Sequence, residues 1–158
     1  MTRFPRRTVL RTATALLSVG LAACTGAPAG PAVPGSGSAF ELRARWAQWR
    51  AQAPGAYTFE LRRSCFCLAA AVTPARVEVR DGRPVAARAI ETGEPLPLAL
   101  FFPIDSLFSW AIREAERGGF VSVAYDRRLS YPAELVVGTL ANDAGVAYSV
   151  SAVVPAPD

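Results

Sequence analysis

Twice along this chain a stretch of helical periodicity is followed by three stretches in which apolar residues recur at every second position, and few folds accept that order. In the first unit Leu42, Trp46, Trp49 and Ala53 repeat at the spacing that lines one side of a helix. Ser38-Ala39-Phe40-Glu41 precedes them as a capping box, and Pro54-Gly55 ends the helix. Tyr57, Phe59 and Leu61 then alternate with Thr58, Glu60 and Arg62, the pattern of a half-buried strand. Val77 and Val79, Asp81-Gly82, then Val85, Ala87 and Ala89 read as a hairpin. A two-residue loop would put Val77 opposite Ala86 and split the apolar set between faces. A three-residue loop, Arg80-Asp81-Gly82, keeps that set together and puts Gly82 in a left-handed position, so it is the expected loop.

In the second unit Asp105 is the expected N-cap of a helix whose buried side is Leu107, Phe108, Ala111, Ile112 and Ala115, ended by Gly118-Gly119. Three strands follow: Val121 to Tyr125, Leu135 to Val137, and Val146 to Ala152 after a turn at Asn142-Asp143. The predicted order is αβββ-αβββ. Short antiparallel connections place both helices on one face of an antiparallel sheet, an α+β fold. Residues 39–154 make one such domain, and 155–158 read as a frayed C-terminal tail.

The segment ahead of that domain reads as an address. Arg3, Arg6, Arg7 and Arg11 precede or interrupt an apolar run that stops at Cys24. The run is shorter than the roughly 20 apolar residues that span a bilayer, and small residues sit before the cysteine. Leu21-Ala22-Ala23-Cys24 matches a bacterial lipobox, so 1–23 is expected to be a cleaved signal peptide and Cys24 the lipidated first residue of the mature chain. Arg6-Arg7 followed by Thr8-Val9-Leu10 fits a twin-arginine signal as well as an arginine-rich Sec signal, and both routes stay open. Residues 24–38, mostly Thr, Gly, Ala, Pro and Ser after the cysteine, have the composition of a flexible linker between anchor and domain. The expected location is extracytoplasmic and membrane-anchored, with the lipid as the link to the membrane.

Charge and composition then exclude several chemistries. The 17 basic residues are all arginine, and removing the four before Cys24 leaves a mature chain balanced against its 13 acids. Its alkaline character therefore belongs to the signal, and no basic stripe points to nucleic acid. Without histidine there is no Ser-His or Cys-His nucleophile pair and no His-ligated metal. Without lysine there is no Schiff base and no Walker-type phosphate loop. The acids are scattered as solvated surface charges are. No catalytic residue, metal site or cofactor is expected.

Two cysteines remain for the exported domain, Cys65 and Cys67, and an even pair there suggests a disulfide. In an extended strand such residues have Cα atoms about 6.5–7 Å apart, the upper limit for a bridge, so a bond demands a bend. Closing so small a ring is worth about 1.6 kcal/mol in the chain-entropy model, before any strain. Three readings stand: a local structural disulfide, a redox-active Cys-x-Cys pair, and a soft-metal clamp for Cu(I) or Zn. Arg62 and Arg63 could lower a thiol pKa, while the mature chain has neither Met nor His to complete a metal site.

Several motifs occur in order. Trp46, Pro54 and Tyr57-x-Phe59 come first, then Cys65-Phe66-Cys67 and Val77-x-Val79-x-Asp81-Gly82. Phe102-Pro103-Ile104-Asp105-x-Leu107-Phe108, Val121-x-Val123-x-Tyr125-Asp126 and Tyr131-Pro132 follow. The ordered set resembles a family of uncharacterised bacterial lipoproteins defined only as a domain of unknown function. Ser130 stands where that pattern carries Gly. The resemblance implies a lipid-anchored extracytoplasmic domain and no activity. The layout is also similar, at the level of fold alone, to small extracytoplasmic inhibitor and PepSY-like domains.

The first functional expectation is therefore a non-enzymatic binding or scaffolding module for an envelope protein or small ligand. Its contact surface would be the open side of the sheet or the segment from Gly93 to Pro103. Phe101-Phe102, Tyr125, Tyr131, Trp46 and Trp49 are aromatic candidates. The second is a thiol redox or copper-handling lipoprotein centred on Cys65 and Cys67. The third is an inhibitor of a protease or hydrolase.

Overall fold

The computed structural model describes residues 32–139 and 144–156. The signal segment, Cys24, the linker up to residue 31, the Asn142-Asp143 turn and residues 157–158 lie outside the described residues. The elements run β1 (Ala32–Gly35), α1 (Ala39–Gln52), β2 (Ala56–Ser64), α2 (Ala69–Val72), β3 (Ala75–Arg80) and β4 (Arg83–Ala89). A 3-10 turn (Leu98–Leu100), α3 (Ile104–Glu116), β5 (Val121–Asp126), β6 (Pro132–Val137) and β7 (Val146–Pro155) complete them.

The strands form one seven-stranded sheet in the order β1-β5-β6-β7-β2-β3-β4, each pair antiparallel. Each predicted unit is thus a helix followed by a meander, and the two meanders join through β7 and β2. The α+β expectation holds. Antiparallel pairing gives the sheet two distinct ends. Ala32, Ala56, Arg80, Asp126 and Pro155 lie at the end where the described chain enters; Ser64, Ala75, Val121, Val137 and Val146 lie at the far end.

One face of the sheet carries the core. Tyr57, Phe59, Leu61, Val77, Val79, Tyr125, Leu135 and Val150 point into it, and α1 and α3 cover them with Leu42, Trp49, Ile104, Leu107, Phe108 and Ala111. The helices run antiparallel: Trp49 near the end of α1 meets Asp105 at the start of α3, and Arg43 near the start of α1 pairs with Glu116. The opposite face is polar, with Glu60 bonded to Arg76 across β2 and β3 at 2.9 Å.

Five expectations change in detail. Part of the segment expected as linker is β1, which pairs Ala32 to Gly35 with Asp126 to Val123. Gly35 lies so close to the Tyr125 ring that a Cβ would strike it, and that contact seats the strand. The Asp81-Gly82 hairpin has a two-residue loop, since Arg80 pairs with Arg83, and both loop residues take positive φ, 50° and 69°. A register shift after Val79 then leaves Val85 bulged and exposed and restores Val77 opposite Ala87. Val77, Val79, Ala87 and Ala89 stay on the buried face as expected, but by a bulge rather than a longer loop, and Val85, expected among them, does not. Pro103 rather than Asp105 is the N-cap of α3. Ser38 caps α1 through the Glu41 N–H at 3.2 Å, but the Glu41 carboxylate reaches past it to Ser36, accepting from its N–H at 2.7 Å and its hydroxyl at 2.6 Å. Those Ser36 bonds, with Arg45 beside it, hold the Glu41 carboxyl below the usual carboxylate range. Finally, β7 runs through Pro155 and the Ala156 N–H donates to the Ala56 carbonyl at 3.0 Å, so the start of the expected tail is paired.

Candidate functional site

Two clusters gather most of the residues singled out in the sequence, one at each end of the sheet. At the entry end, Asp105 sits in the first turn of α3 with its carboxylate turned toward α1. It accepts from the Trp46 indole N–H at 2.7 Å and from the Trp49 indole N–H at 3.1 Å. The carboxylate expected to cap its own helix is spent on these two bonds. The cap is completed from outside, because the Tyr57 hydroxyl accepts from the Ile104 N–H at 3.2 Å. Trp49 packs edge-on against Tyr57 and Tyr131, with ring centroids 5.4 and 5.9 Å apart. Trp46 stacks on Phe108, which stacks in turn on Tyr125. Burial raises the hydroxyl pKa of Tyr57 and Tyr125, and pushes that of Tyr131 up to about 12.

The turn after β5 closes the same cluster. Asp126 is buried and accepts from the Arg128 and Leu129 N–H groups at 2.9 and 2.7 Å. Ser130 takes φ 61°, the left-handed conformation in which Gly is at ease, so the Ser found in place of the expected Gly bears a conformational cost. Its hydroxyl donates to the Gln48 side-chain oxygen at 3.0 Å and ties the turn to α1. Neither tryptophan is free to serve as a ligand platform. Tyr125, Tyr131 and Phe101 are buried as well. The segment from Gly93 to Pro103 covers the edge of β4: the Leu96 N–H donates to the Ala87 carbonyl, and the Ala89 N–H to the Glu94 carbonyl.

At the far end, β2 stops at Ser64 and the chain folds into a tight tip. Cys65 and Cys67 are joined by a disulfide with Cα atoms 5.3 Å apart. The required bend is a three-residue turn in which the Cys67 N–H donates to the Cys65 carbonyl at 3.0 Å. Phe66 is its apex and stands 89% exposed, with Leu68 beside it 75% exposed. From Ser64 to Ala75 the chain carries no charge. α2 follows, with Ala71 buried and the Thr73 hydroxyl donating to the Ala69 carbonyl at 3.0 Å.

Arg63 braces the tip from the core side. Its guanidinium donates to the Leu100 carbonyl at 2.7 Å and lies over the rings of Phe102 and Tyr148, 5.2 and 5.5 Å from their centroids. Phe102, Trp110 and Tyr148 contact one another around it at 5.7–5.8 Å. Desolvation pushes the Tyr148 hydroxyl up to about 12, against the lowering effect of Arg63. The arginine that the sequence offered as an activator of the thiols is thus a strut between β2, β7 and the segment before α3.

Residues 41–155 match the model of a family described as a family of unknown function, DUF6174. The chain belongs to that family. No curated protein and no solved structure matches it. The family region begins in the first turn of α1 and ends with β7, so it holds both clusters, while β1 lies before it.

Within this DUF6174 domain the motif residues divide by duty. Tyr57, Asp105, Phe108, Tyr125, Asp126 and Tyr131 bond or pack within the fold. Phe66 does none of this. Among the described residues no three His, Cys, Asp or Glu side chains are grouped to hold a metal. A hollow lined by Thr58, Arg76, Glu78, Ala86 and Arg88 measures about 190 Å³, and a larger one at Phe120, Val136, Gly138 and Thr139 about 270 Å³. Both are below the roughly 300–1,000 Å³ of ordinary small-molecule sites. What the geometry offers chemically is an apolar knob on an accessible disulfide ring.

Proposed function

We propose that this DUF6174 chain is a lipid-anchored, extracytoplasmic binding module, non-enzymatic, that engages another component of the cell envelope through its Cys65-Phe66-Cys67-Leu68 tip. The observation that carries this reading is Phe66, 89% exposed at the apex of a disulfide-closed turn. Holding a large apolar ring in water is unfavourable, and fixing it in one conformation beforehand lowers the entropy lost when a partner covers it. Aromatic anchors of this kind dominate binding energy at interfaces. The anchor is supported by Leu21-Ala22-Ala23-Cys24 at the end of the apolar run. The lack of histidine and lysine supports a module that binds rather than catalyses.

A thiol redox role for the same pair is the second reading, favoured by the exposure of Cys67. Mass spectrometry of the exported protein separates the two. Under the binding reading the N-terminal peptide starts at an acylated Cys24, the Cys65–Cys67 bond persists in glutathione, and Phe66→Ala abolishes partner binding with unchanged thermal unfolding. Ready reduction by glutathione, or a bound copper ion, favours the redox reading. A full-length, unacylated polypeptide in the cytosol overturns the anchor.

A further inference from the structure

We infer that the tip docks into an apolar socket on a different protein that stands away from the bilayer, and that the bilayer itself is not its target. The inference rests on the anchor proposed above and on where the described chain enters the sheet. Ala32 pairs with Asp126 at one end, whereas Ser64, which leads into the tip, lies at the other. β2 spans Ala56–Ser64. At about 3.3 Å per residue it sets the two ends roughly 27 Å apart. The chain between Cys24 and Ala32 reaches at most about 29 Å when fully extended. A domain standing upright on that tether has its entry end toward the lipid and its tip on the distal side. Aiming the apex of the tip into the same bilayer would need the domain inverted and the tether drawn taut along the whole sheet.

The chemistry of the tip points the same way. Interfacial segments combine apolar residues with Lys or Arg that attract anionic headgroups, and Trp or Tyr that sit among them. From Ser64 to Ala75 there is no charge, no Trp and no Tyr. What projects is one compact knob, Phe66 with Leu68, on a base fixed by the disulfide and by Arg63. A convex, rigid, uncharged knob fits a concave apolar pocket. Copies tethered in one leaflet hold their tips parallel, so an end-on socket belongs to another protein. The knob itself carries no charge, although the exposed Arg62 stands on the strand that leads into it, so the association depends little on ionic strength.

The test uses the full chain in its native envelope, with the photo-crosslinking residue benzoyl-phenylalanine at position 66. A control carries it at Val154, which is exposed on β7 near the entry end. The expected result is one discrete protein adduct from position 66, several-fold stronger than from position 154. Its yield is unchanged by added salt and falls several-fold in the Cys65→Ser/Cys67→Ser variant, whose folding is checked by thermal unfolding. A lipid adduct, an adduct to a second copy of this chain, equal yields at both positions, or no adduct overturns the inference. The mass of the N-terminal peptide in the same sample reads the anchor separately. An acylated Cys24 with a lipid adduct removes the socket and leaves the anchor; a protein adduct with an unacylated Cys24 removes the anchor and leaves the socket.

Discussion

The two ends of the sheet use aromatic residues in opposite ways. At the entry end Trp46, Trp49 and Tyr57 have polar groups bonded inside the domain and faces packed on other rings. At the far end Phe66 has no such neighbours and is turned into solvent, while Arg63, Phe102, Trp110 and Tyr148 lock the base from which it projects. The difference separates rings that maintain the fold from rings left in water, of which Phe66 is the most exposed and Phe40 and Phe120 are others.

The contrast is testable, and the largest effect belongs to the entry end. Trp49→Ala removes a fully buried indole that touches Tyr57 and Tyr131. Urea denaturation should register a loss of about 3–5 kcal/mol, and a smaller loss would mean that the cluster relaxes around the gap. Asp105→Ala leaves two indole N–H groups without their acceptor and should cost about 2 kcal/mol. Paired with Trp46→Ala in a double-mutant cycle, it should show clear coupling, and additivity would dissolve the proposed cluster.

Next in size is an alkaline transition. All four tyrosines of the chain, Tyr57, Tyr125, Tyr131 and Tyr148, have raised hydroxyl pKa values because burial disfavours the phenolate. A raised pKa in the folded state contributes stability that is complete below the unfolded value near 10 and fades as pH climbs toward about 12, the folded value of Tyr131 and Tyr148. Absorbance of phenolate should therefore lag well behind free tyrosine and rise together with unfolding. Early, non-cooperative titration would place these rings in water.

The smallest effects on stability belong to the far end, where the effect on binding should be complete. Phe66→Ala should change unfolding by no more than about 0.5 kcal/mol. Cys65→Ser/Cys67→Ser should cost at most about 1.6 kcal/mol, the chain-entropy value of so short a ring. A larger loss in either case would make the tip part of the structural frame and erase the contrast between the ends.

Much of this was legible beforehand wherever the deciding interaction is local. Leu42 and Trp49 announced the buried side of α1 by spacing, and Val77, Val79 and Ala87 announced the buried side of the first hairpin. The hairpin loop is not legible because a bulge at Val85 and a longer loop both keep Val77, Val79 and Ala87 on one face, and the alternation of those residues cannot distinguish them. β1 was hidden because Ala-Val-Pro-Gly has the composition of a linker and becomes a strand only when β5 offers it a ladder. The pairing of Cys65 with Cys67 was foreseeable by count, but the exposure of Phe66 was not. In a continuing strand it would simply have faced away from the cysteines.

Read alone, then, the chain determined the order of its two long helices and of the six strands that follow them, most of the apolar side of each, and the spacing that suggested a Cys65–Cys67 ring, because those follow from periods and spacings within a few residues. Tertiary structure decided the rest. It joined β2 to β7, drew the Asp105 carboxylate to a tryptophan 56 residues away, and set the tip at the opposite end from the entering strand. Such contacts depend on which distant surfaces meet when the core closes, and local sequence carries no record of that until the chain is packed.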